Sequence, residues 1–176
     1  MATLYTIGHS TRSFDELVSA LKAHGVETLV DIRAFPMSRR LPHFNRESLD
    51  AELPKQGIRY VWMKTLGGYR KRTREDSPHT ALRSANFRNY ADYTLTAEFK
   101  HAMDELLQLA GNSRTAYMCA ERVHFRCHRM IVSDWLVAHG HEVLHIDATR
   151  PTRPHKMTAE ARMIEGQMIY RGDQLF

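Results

Sequence analysis

The chain has 176 residues, enough for one compact domain with a hydrophobic core. It has no run of about 18 apolar residues, which excludes a transmembrane helix, and two cysteines are too few for a disulfide framework. The formal net charge is +5, and 19 of the 25 basic residues are arginine. We expect a cytoplasmic protein with no membrane partner, whose arginines either bind anions or form a solvated surface.

Strand and helix patterns alternate along most of the chain. Ser13 and Glu16 form a capping box before the first helix, Gly25 ends that helix, and Gly111 and Asn112 mark the end of another. In chain order, the pattern predicts a strand at Leu4–Gly8, a helix after Ser13, a strand at Glu27–Ile32, a helix at Arg46–Leu53, a strand at Ile58–Met63, helices at Phe87–Leu95 and Ala97–Leu109, a strand at Thr115–Met118, a helix at Met130–His139 and a strand at His141–Ile146.

This alternation is typical of βαβ units. We therefore predict a single α/β domain over residues 1–176, with a mainly parallel sheet of about five strands flanked by helices in a three-layer, Rossmann-like arrangement. Two segments depart from the pattern. A long basic loop spans residues 64–86, and a polar extension spans 148–176, with a helix predicted around Thr158–Ile164 and an edge strand at Gln167–Tyr170.

Polar residues follow the first two predicted strands directly. His9 and Ser10 come after the first, where they either bind a ligand or shape the turn, and His9 has the chemistry of an acid, a base or a ligand. Asp31 and Arg33 lie on one face at the end of the second strand. Either the two form a structural ion pair, or Arg33 holds an anionic substrate. In open α/β sheets, ligands bind beyond the carboxyl ends of the strands.

The basic loop begins with Gly67 and Gly68, which let the backbone approach a ligand closely. Arg70, Lys71, Arg72 and Arg74 follow Tyr69, and such a run is either a solvated surface or a contact for RNA or DNA.

The segment from Cys119 to Arg129 gathers both cysteines at a strand-to-helix junction. Cys119 ends the fourth strand, and we expect Cys127 at or within one turn of the N-terminus of the next helix, together with His128 and Arg129, where a thiolate or an anion is favoured. Glu121 is placed to orient His128 or an arginine. The alternative is that one cysteine is a small core residue, an interpretation that fits Cys119 better than Cys127. We expect Arg129 to face the same cleft as Arg33.

A metal site is a further alternative, because Cys119, Cys127, His128 and His9 form a ligand set that zinc accepts. Their spacing matches no compact Cys/His pattern. We therefore assign no metal ligand, and the sequence identifies neither a cofactor nor an oligomeric state.

Five short motifs together resemble the DUF488 family, bacterial and archaeal proteins of undetermined function. The resemblance covers about three quarters of the chain and implies an α/β domain with no known reaction. At residues Asp31–Arg33 this chain has Asp-Ile-Arg where the family pattern is Asp-Val-Arg. The motifs are Thr6–Ser10, Asp31–Arg33 with Pro36–Ser38, Leu66–Gly68, Phe87–Ala91, and Cys119–Glu121 with Cys127–Arg129.

Two hypotheses about function follow. The first is an enzyme acting on a small phosphate- or carboxylate-bearing substrate, such as a nucleotide, in a cleft at the strand ends. Its catalytic groups would be His9, Cys119, Glu121, Cys127 and His128, and its substrate-binding groups Ser10, Asp31, Arg33, Gly67, Gly68 and Arg129. The second is a nucleic-acid-binding or nucleic-acid-processing protein that uses an arginine-rich surface.

Overall fold

The computed structural model describes residues 1–172, so residues 173–176 of the predicted extension lie outside the described part. The strands of the central sheet are β1 (Thr3–Gly8), β2 (Thr28–Asp31), β3 (Arg59–Trp62), β4 (Thr115–Cys119), β5 (Glu142–His145) and β6 (Arg153–Pro154). Their order is β3-β2-β4-β1-β5-β6, with β1 to β5 parallel and β6 antiparallel at one edge. The helices are α1 (Phe14–Ala23), α2 (Arg46–Glu52), α3 (Ala85–Tyr93), α4 (Ala97–Asn112) and α5 (Arg129–Ala138).

Helices cover both faces of the sheet, and each face has its own hydrophobic core. On one face, Leu17 of α1 and Leu49 of α2 are fully buried against the strands. On the other face, Phe99 of α4 and Ile131 of α5 belong to a larger core that also contains α3. The predicted α/β domain with a mainly parallel sheet between helical layers is confirmed, with six strands in the sheet where about five were expected.

Side-chain caps set several helix boundaries. The capping box is present, since the Glu16 amide donates to Ser13 Oγ at 3.1 Å and the Ser13 amide donates to Glu16 Oε1 at 2.9 Å. Gly25 follows the end of α1 in the left-handed region, with φ +68°. The predicted stop at Gly111 and Asn112 is confirmed: α4 extends through Asn112, three residues beyond Leu109, and ends where Ser113 becomes extended. Gly111 keeps right-handed backbone there, so it does not act as a left-handed cap.

The C-terminal extension forms strands instead of the predicted helix. β7 (Ala161–Ile164) pairs antiparallel with β8 (Gln167–Tyr170) in a separate two-stranded sheet. Glu165 and Gly166 join them with φ values of +50° and +77°, the conformation that a two-residue hairpin turn requires. The strand predicted at the position of β8 is therefore present, although it is not on the edge of the main sheet, and the helix predicted around Thr158–Ile164 is wrong because β7 pairs in this hairpin.

β4 lies between β1 and β2 in the sheet, and the connection that leaves β4 runs to the opposite face from those that leave its two neighbours. The helix after β1 and the helix after β2 share one face of the sheet, whereas the helix after β4 packs on the other. Such a topological switch point opens a crevice beyond the carboxyl ends of the strands. Among residues 1–172, no helix is both long and apolar enough to cross a membrane.

Candidate functional site

A cavity of about 490 Å³ lies beyond the carboxyl ends of β2 and β4. Six of the eleven site residues expected from the sequence line it: Arg33, Gly68, Cys119, Glu121, Cys127 and His128. The other five do not line it: His9, Ser10, Asp31, Gly67 and Arg129. Aromatic side chains that the sequence did not single out as site residues complete the wall: Phe35, Phe87 and Tyr90, together with Tyr69.

The two thiols lie side by side, with Cys119 Sγ and Cys127 Sγ 3.0 Å apart and both cysteines free. Cys119 ends β4 and is only 3% exposed, so burial, together with the neighbouring thiol, raises its pKa well above the ordinary value. Cys127 lies two residues before α5, as the sequence predicts. The hydrogen bond from Cys119, with help from the charge of Arg129, lowers the pKa of Cys127 to about 7.

Arg129 is buried behind the thiols and does not line the cavity, so the expectation that it faces the same cleft as Arg33 is wrong. Its Nε donates to Cys119 Sγ at 3.0 Å and its Nη1 to Thr6 Oγ1 at 2.6 Å. Its Nη2 donates to the backbone carbonyls of Glu121 and Arg122 at 2.6 and 3.1 Å. A buried guanidinium must have its donors bonded, and here the acceptors come from β1, from Cys119 and from residues 120–128, which we call the cysteine loop.

Arg33 is held by the fully buried Asp31. Arg33 Nε donates to Asp31 Oδ1 at 2.9 Å and Nη2 to Oδ2 at 2.7 Å, a bidentate ion pair. The Tyr60 hydroxyl on β3 donates to the same carboxylate at 2.5 Å. Arg33 Nη1 contacts only His9 Nε2, at 3.2 Å, so one of its two hydrogens has no acceptor in the part of the chain that the structure describes. Asp31 thus orients Arg33, which is a lining residue of the cavity.

His9 has both ring nitrogens engaged. Its Nδ1 lies 2.8 Å from the Ser10 carbonyl oxygen, which can only accept, so the proton is on Nδ1 and Nε2 accepts from Arg33. Burial, and the charge of Arg33, lower the pKa of His9 to about 4. His9 is therefore neutral at physiological pH and positions Arg33, while Ser10 contributes its carbonyl from a backbone with φ +51°.

His128 is fixed in one tautomer by β2. Its Nε2 donates to the Ile32 carbonyl at 2.8 Å, which leaves Nδ1 with a lone pair. Burial, and the charge of Arg129, lower the pKa of His128 to about 4. A side chain on Gly68 would place its Cβ 2.6 Å from this Nδ1, so the glycine allows the loop to lie against the ring. Gly67 makes a similar close approach to Ala34 and has a packing role.

Glu121 contributes its backbone more than its side chain. Its carbonyl accepts from Arg129, while its exposed carboxylate makes no hydrogen bond to His128 or to an arginine within residues 1–172. A Cβ atom on Gly8 would lie only 1.8 Å from the oxygen of this same Glu121 carbonyl. Gly8 is thus a site residue that sequence reasoning treated only as a turn, although a glycine directly after a strand was the available signal.

The alternative thiol-centred metal set of Cys119, Cys127, His128 and His9 does not assemble within residues 1–172. Within the described residues, the one group of three or more metal-ligand side chains that comes together is His124, His145 and His155, which the sequence had not singled out.

Comparison with known proteins gives one result. The model of the "Domain of unknown function DUF488" matches residues 13–136, more than half of the chain. No curated protein and no solved structure matches. The match agrees with the five motifs that suggested this family, and the chain therefore belongs to the DUF488 family.

Proposed function

We propose that this protein is an enzyme that acts on a small anionic substrate in the cavity, with Cys127 as its reacting thiol. The observation that carries the proposal is that Cys127 and Arg33 line one cavity at the switch point of a parallel sheet. Arg33 would bind the phosphate or carboxylate, and the Cys127 thiolate would attack an electrophilic carbon of the bound substrate. A sulfur–carbon bond forms as the bond from that carbon to its leaving group breaks, and the leaving group takes a proton from water.

Three contacts favour the thiolate form of Cys127. Cys119 lies within hydrogen-bonding distance, and the Arg129 amide donates to Cys127 Sγ at 3.4 Å, at the N-terminus of α5. Buried Arg129 adds a positive charge behind both sulfurs. With its pKa at about 7, roughly half of Cys127 is thiolate at neutral pH, which is the form that acts as a nucleophile.

Two groups can move a proton in this cavity. His128 keeps a lone pair on Nδ1, and Glu121 has a free carboxylate at the cavity wall. The half-buried Phe87 and the exposed Phe35 and Tyr69 line the cavity, and such rings suit a substrate with a flat ring next to its anionic group, as in a nucleotide. His9 and Asp31 act through Arg33 and are positioning residues.

Calorimetric titration with inorganic phosphate and with a nucleoside monophosphate tests the anion site. We expect saturable binding that Arg33→Gln weakens by at least about tenfold, because a charge-assisted contact contributes about 1.5–3 kcal/mol. Arg59→Gln is the matched control, since Arg59 is exposed at the opposite, amino end of β3. Equal binding by both variants, or none by the parent protein, would remove the anionic substrate from the proposal.

Nucleic acid is a second candidate ligand, favoured by the rim of the cavity. Phe35 and Tyr69 are 68% and 80% exposed, with ring centroids 5.7 Å apart. Lys71, Arg72 and Arg74 lie exposed on the adjoining loop. Exposed aromatic rings beside cations are the pattern by which single-stranded nucleic acids are bound without sequence specificity.

Fluorescence anisotropy with a labelled single-stranded RNA tests this candidate. RNA binding by the parent protein should weaken steeply between about 50 and about 200 mM salt. At any one salt concentration, Tyr69→Ala should bind the RNA more weakly than the parent protein does. Phe125→Ala is the control, since Phe125 is an exposed ring that does not line the cavity. An equal loss in both variants would exclude stacking on this rim.

A further inference from the structure

Three histidines from separate segments meet on the β5 side of the cysteine loop. His124 is in the loop after β4, His145 ends β5, and His155 follows β6. One ring nitrogen of each lies within 4.8 Å of those of the other two, and none of the three lines the cavity. We propose that this histidine cluster binds one divalent transition-metal ion of the class that prefers imidazole, such as Zn²⁺.

His155 is prepared as a ligand by a buried carboxylate. Its Nε2 donates to Asp134 Oδ1 at 2.7 Å, so its Nδ1 carries a lone pair. Asp134 on α5 is itself fixed by the Thr158 amide at 2.9 Å and by the Tyr170 hydroxyl at 2.7 Å. A metal-binding histidine usually donates its second nitrogen to a carboxylate in this way, which fixes both the tautomer and the ring.

His145 directs a second nitrogen to the same point. Its Nε2 lies 2.8 Å from His155 Nδ1, so in the metal-free protein a single proton lies between the two atoms. Nitrogens bound to one tetrahedral Zn²⁺ are about 3.3 Å apart, so the rings need to separate by only about half an ångström. The proton of His145 then moves to Nδ1, and the ring stays neutral.

The protein alone leaves the cluster incompletely bonded. His145 Nδ1 is buried without a hydrogen-bond partner in the described part of the chain, so no hydrogen bond at Nδ1 has to break when the proton moves there. His124 stacks on His145 at a centroid distance of 3.8 Å, and no hydrogen bond fixes its ring within residues 1–172. It is half-buried in a loop, so it can turn a nitrogen to the ion.

The three ligands belong to three different segments of the chain, which gives the site a structural consequence. A bound ion would tie the loop that carries Cys127 to β5 and to the C-terminal extension. The site uses no thiol, and it is therefore different from the Cys/His ligand set considered from the sequence. With three imidazole ligands, a tetrahedral ion keeps one position for water or another small ligand.

The test uses the full chain, stripped of metal by a chelator and titrated with Zn²⁺ and with Co²⁺. We expect one equivalent to bind, and a Co²⁺ spectrum without a thiolate charge-transfer band. Loss of an outer hydrogen-bond partner weakens metal binding by about 10- to 100-fold, so Asp134→Asn should raise the Kd for Zn²⁺ within that range. His124→Ala removes a ligand, so it should raise the Kd for Zn²⁺ by more. His101→Ala is the control, since this exposed histidine pairs with Glu105 on α4.

His124→Ala keeps the test valid even if Asp134→Asn fails to fold, because the His124 ring makes no hydrogen bond in the described residues. Three outcomes would overturn the proposal: no saturable binding of one equivalent, equal loss of affinity in His101→Ala and His124→Ala, or loss of binding in Cys119→Ser/Cys127→Ser with none in His124→Ala. The last outcome would place the metal on the thiols.

Discussion

At the scale of single residues, the contact between His9 and Arg33 positions the arginine that lines the cavity. The neutral imidazole accepts from Arg33 Nη1, and a protonated ring would replace this hydrogen bond with repulsion between two cations. The buried His9 thus links the position of Arg33 to pH. This contact also gives the fold a pH-dependent stability that can be measured.

The free energy of unfolding should fall as the pH falls from about 6.5 to about 4. The pKa of His9 is about 4 in the folded protein and 6.5 in an exposed histidine, so the unfolded chain binds the proton first. The stability from His9 is fully present above pH 6.5 and is lost towards pH 4, by up to about 3 kcal/mol. Urea unfolding at pH 7 and at pH 4.5 measures this change.

His9→Asn is the matched variant, because an amide cannot be protonated in this range. Its stability should change less between the two pH values than that of the parent protein. Part of the slope should remain, since the pKa of His128 is lowered in the same direction. Identical slopes in the two proteins would show that His9 does not titrate as its burial requires.

At the scale of elements, β1 and the cysteine loop approach so closely that only glycine fits between them. The His9 and Ser10 amides donate to the Cys119 and Ala120 carbonyls at 2.9 Å, and Gly8 faces the Glu121 carbonyl. The position of both thiols therefore depends on a residue of the first strand.

Gly8→Ala should destabilise the protein by at least about 3 kcal/mol, because its Cβ would lie 1.8 Å from a backbone oxygen that cannot move freely. Gly111→Ala is the control: it lies in α4, and its Cβ would have no neighbour within 4 Å. That change should stabilise the protein by roughly 0.5–1 kcal/mol, since alanine favours helix. Chemical denaturation measures the stability of both variants. A Gly8→Ala protein as stable as the parent would contradict the close approach of β1 and the cysteine loop.

The helices α1 to α5 could be predicted from their apolar period, and the strands β1 to β5 as short apolar runs between them. β7 and β8 have four residues each, like β2, β3 and β5, but no helical pattern flanks them, and an apolar spacing of two or three residues fits a helix or a strand equally. The turn signal at Gly166 was present, but the hairpin is defined by pairing, which periodicity does not report. The two-residue β6 has no period at all.

At the scale of the whole molecule, the C-terminal extension packs on the family-matched part of the chain. Tyr170 of β8 donates to buried Asp134 of α5, and the β8 amide of the same residue donates to His79 Nδ1 at 3.2 Å. His155 and His145 also lie beyond residue 136, where the family match ends. The extension is thus part of the domain core and of the histidine cluster.

Tyr170→Phe should lower the free energy of unfolding by about 1–3 kcal/mol, because it removes a hydrogen bond from a buried carboxylate. Tyr5→Phe is the control, since the Tyr5 hydroxyl makes no hydrogen bond in residues 1–172, and it should change stability by less than about 0.5 kcal/mol. Thermal or urea unfolding distinguishes the two. A neutral effect of Tyr170→Phe would mean that the hairpin is not anchored through Asp134.

The gathering of site residues could be predicted in part from topology. Parallel strands bring their carboxyl ends to one edge, which explains why Arg33, Cys119 and Cys127 share a cavity. The burial of Arg129 could not be predicted, because its acceptors are Thr6 and two loop carbonyls whose positions depend on the folded chain. The histidine cluster was equally inaccessible, since His155 reaches β5 only through the antiparallel pairing of β6.

The central claim is that Cys127 is the reactive thiol of the cavity, and iodoacetamide labelling near pH 7 tests it most directly. Cys119→Ser, which keeps Cys127 and a hydroxyl donor beside it, should be labelled at least about tenfold faster than Cys127→Ser. Its rate should reach half its maximum near pH 7, and Cys119→Ala should move this midpoint upwards because the hydrogen bond is lost. Equal, slow labelling of both serine variants, or faster labelling of Cys119, would contradict the account.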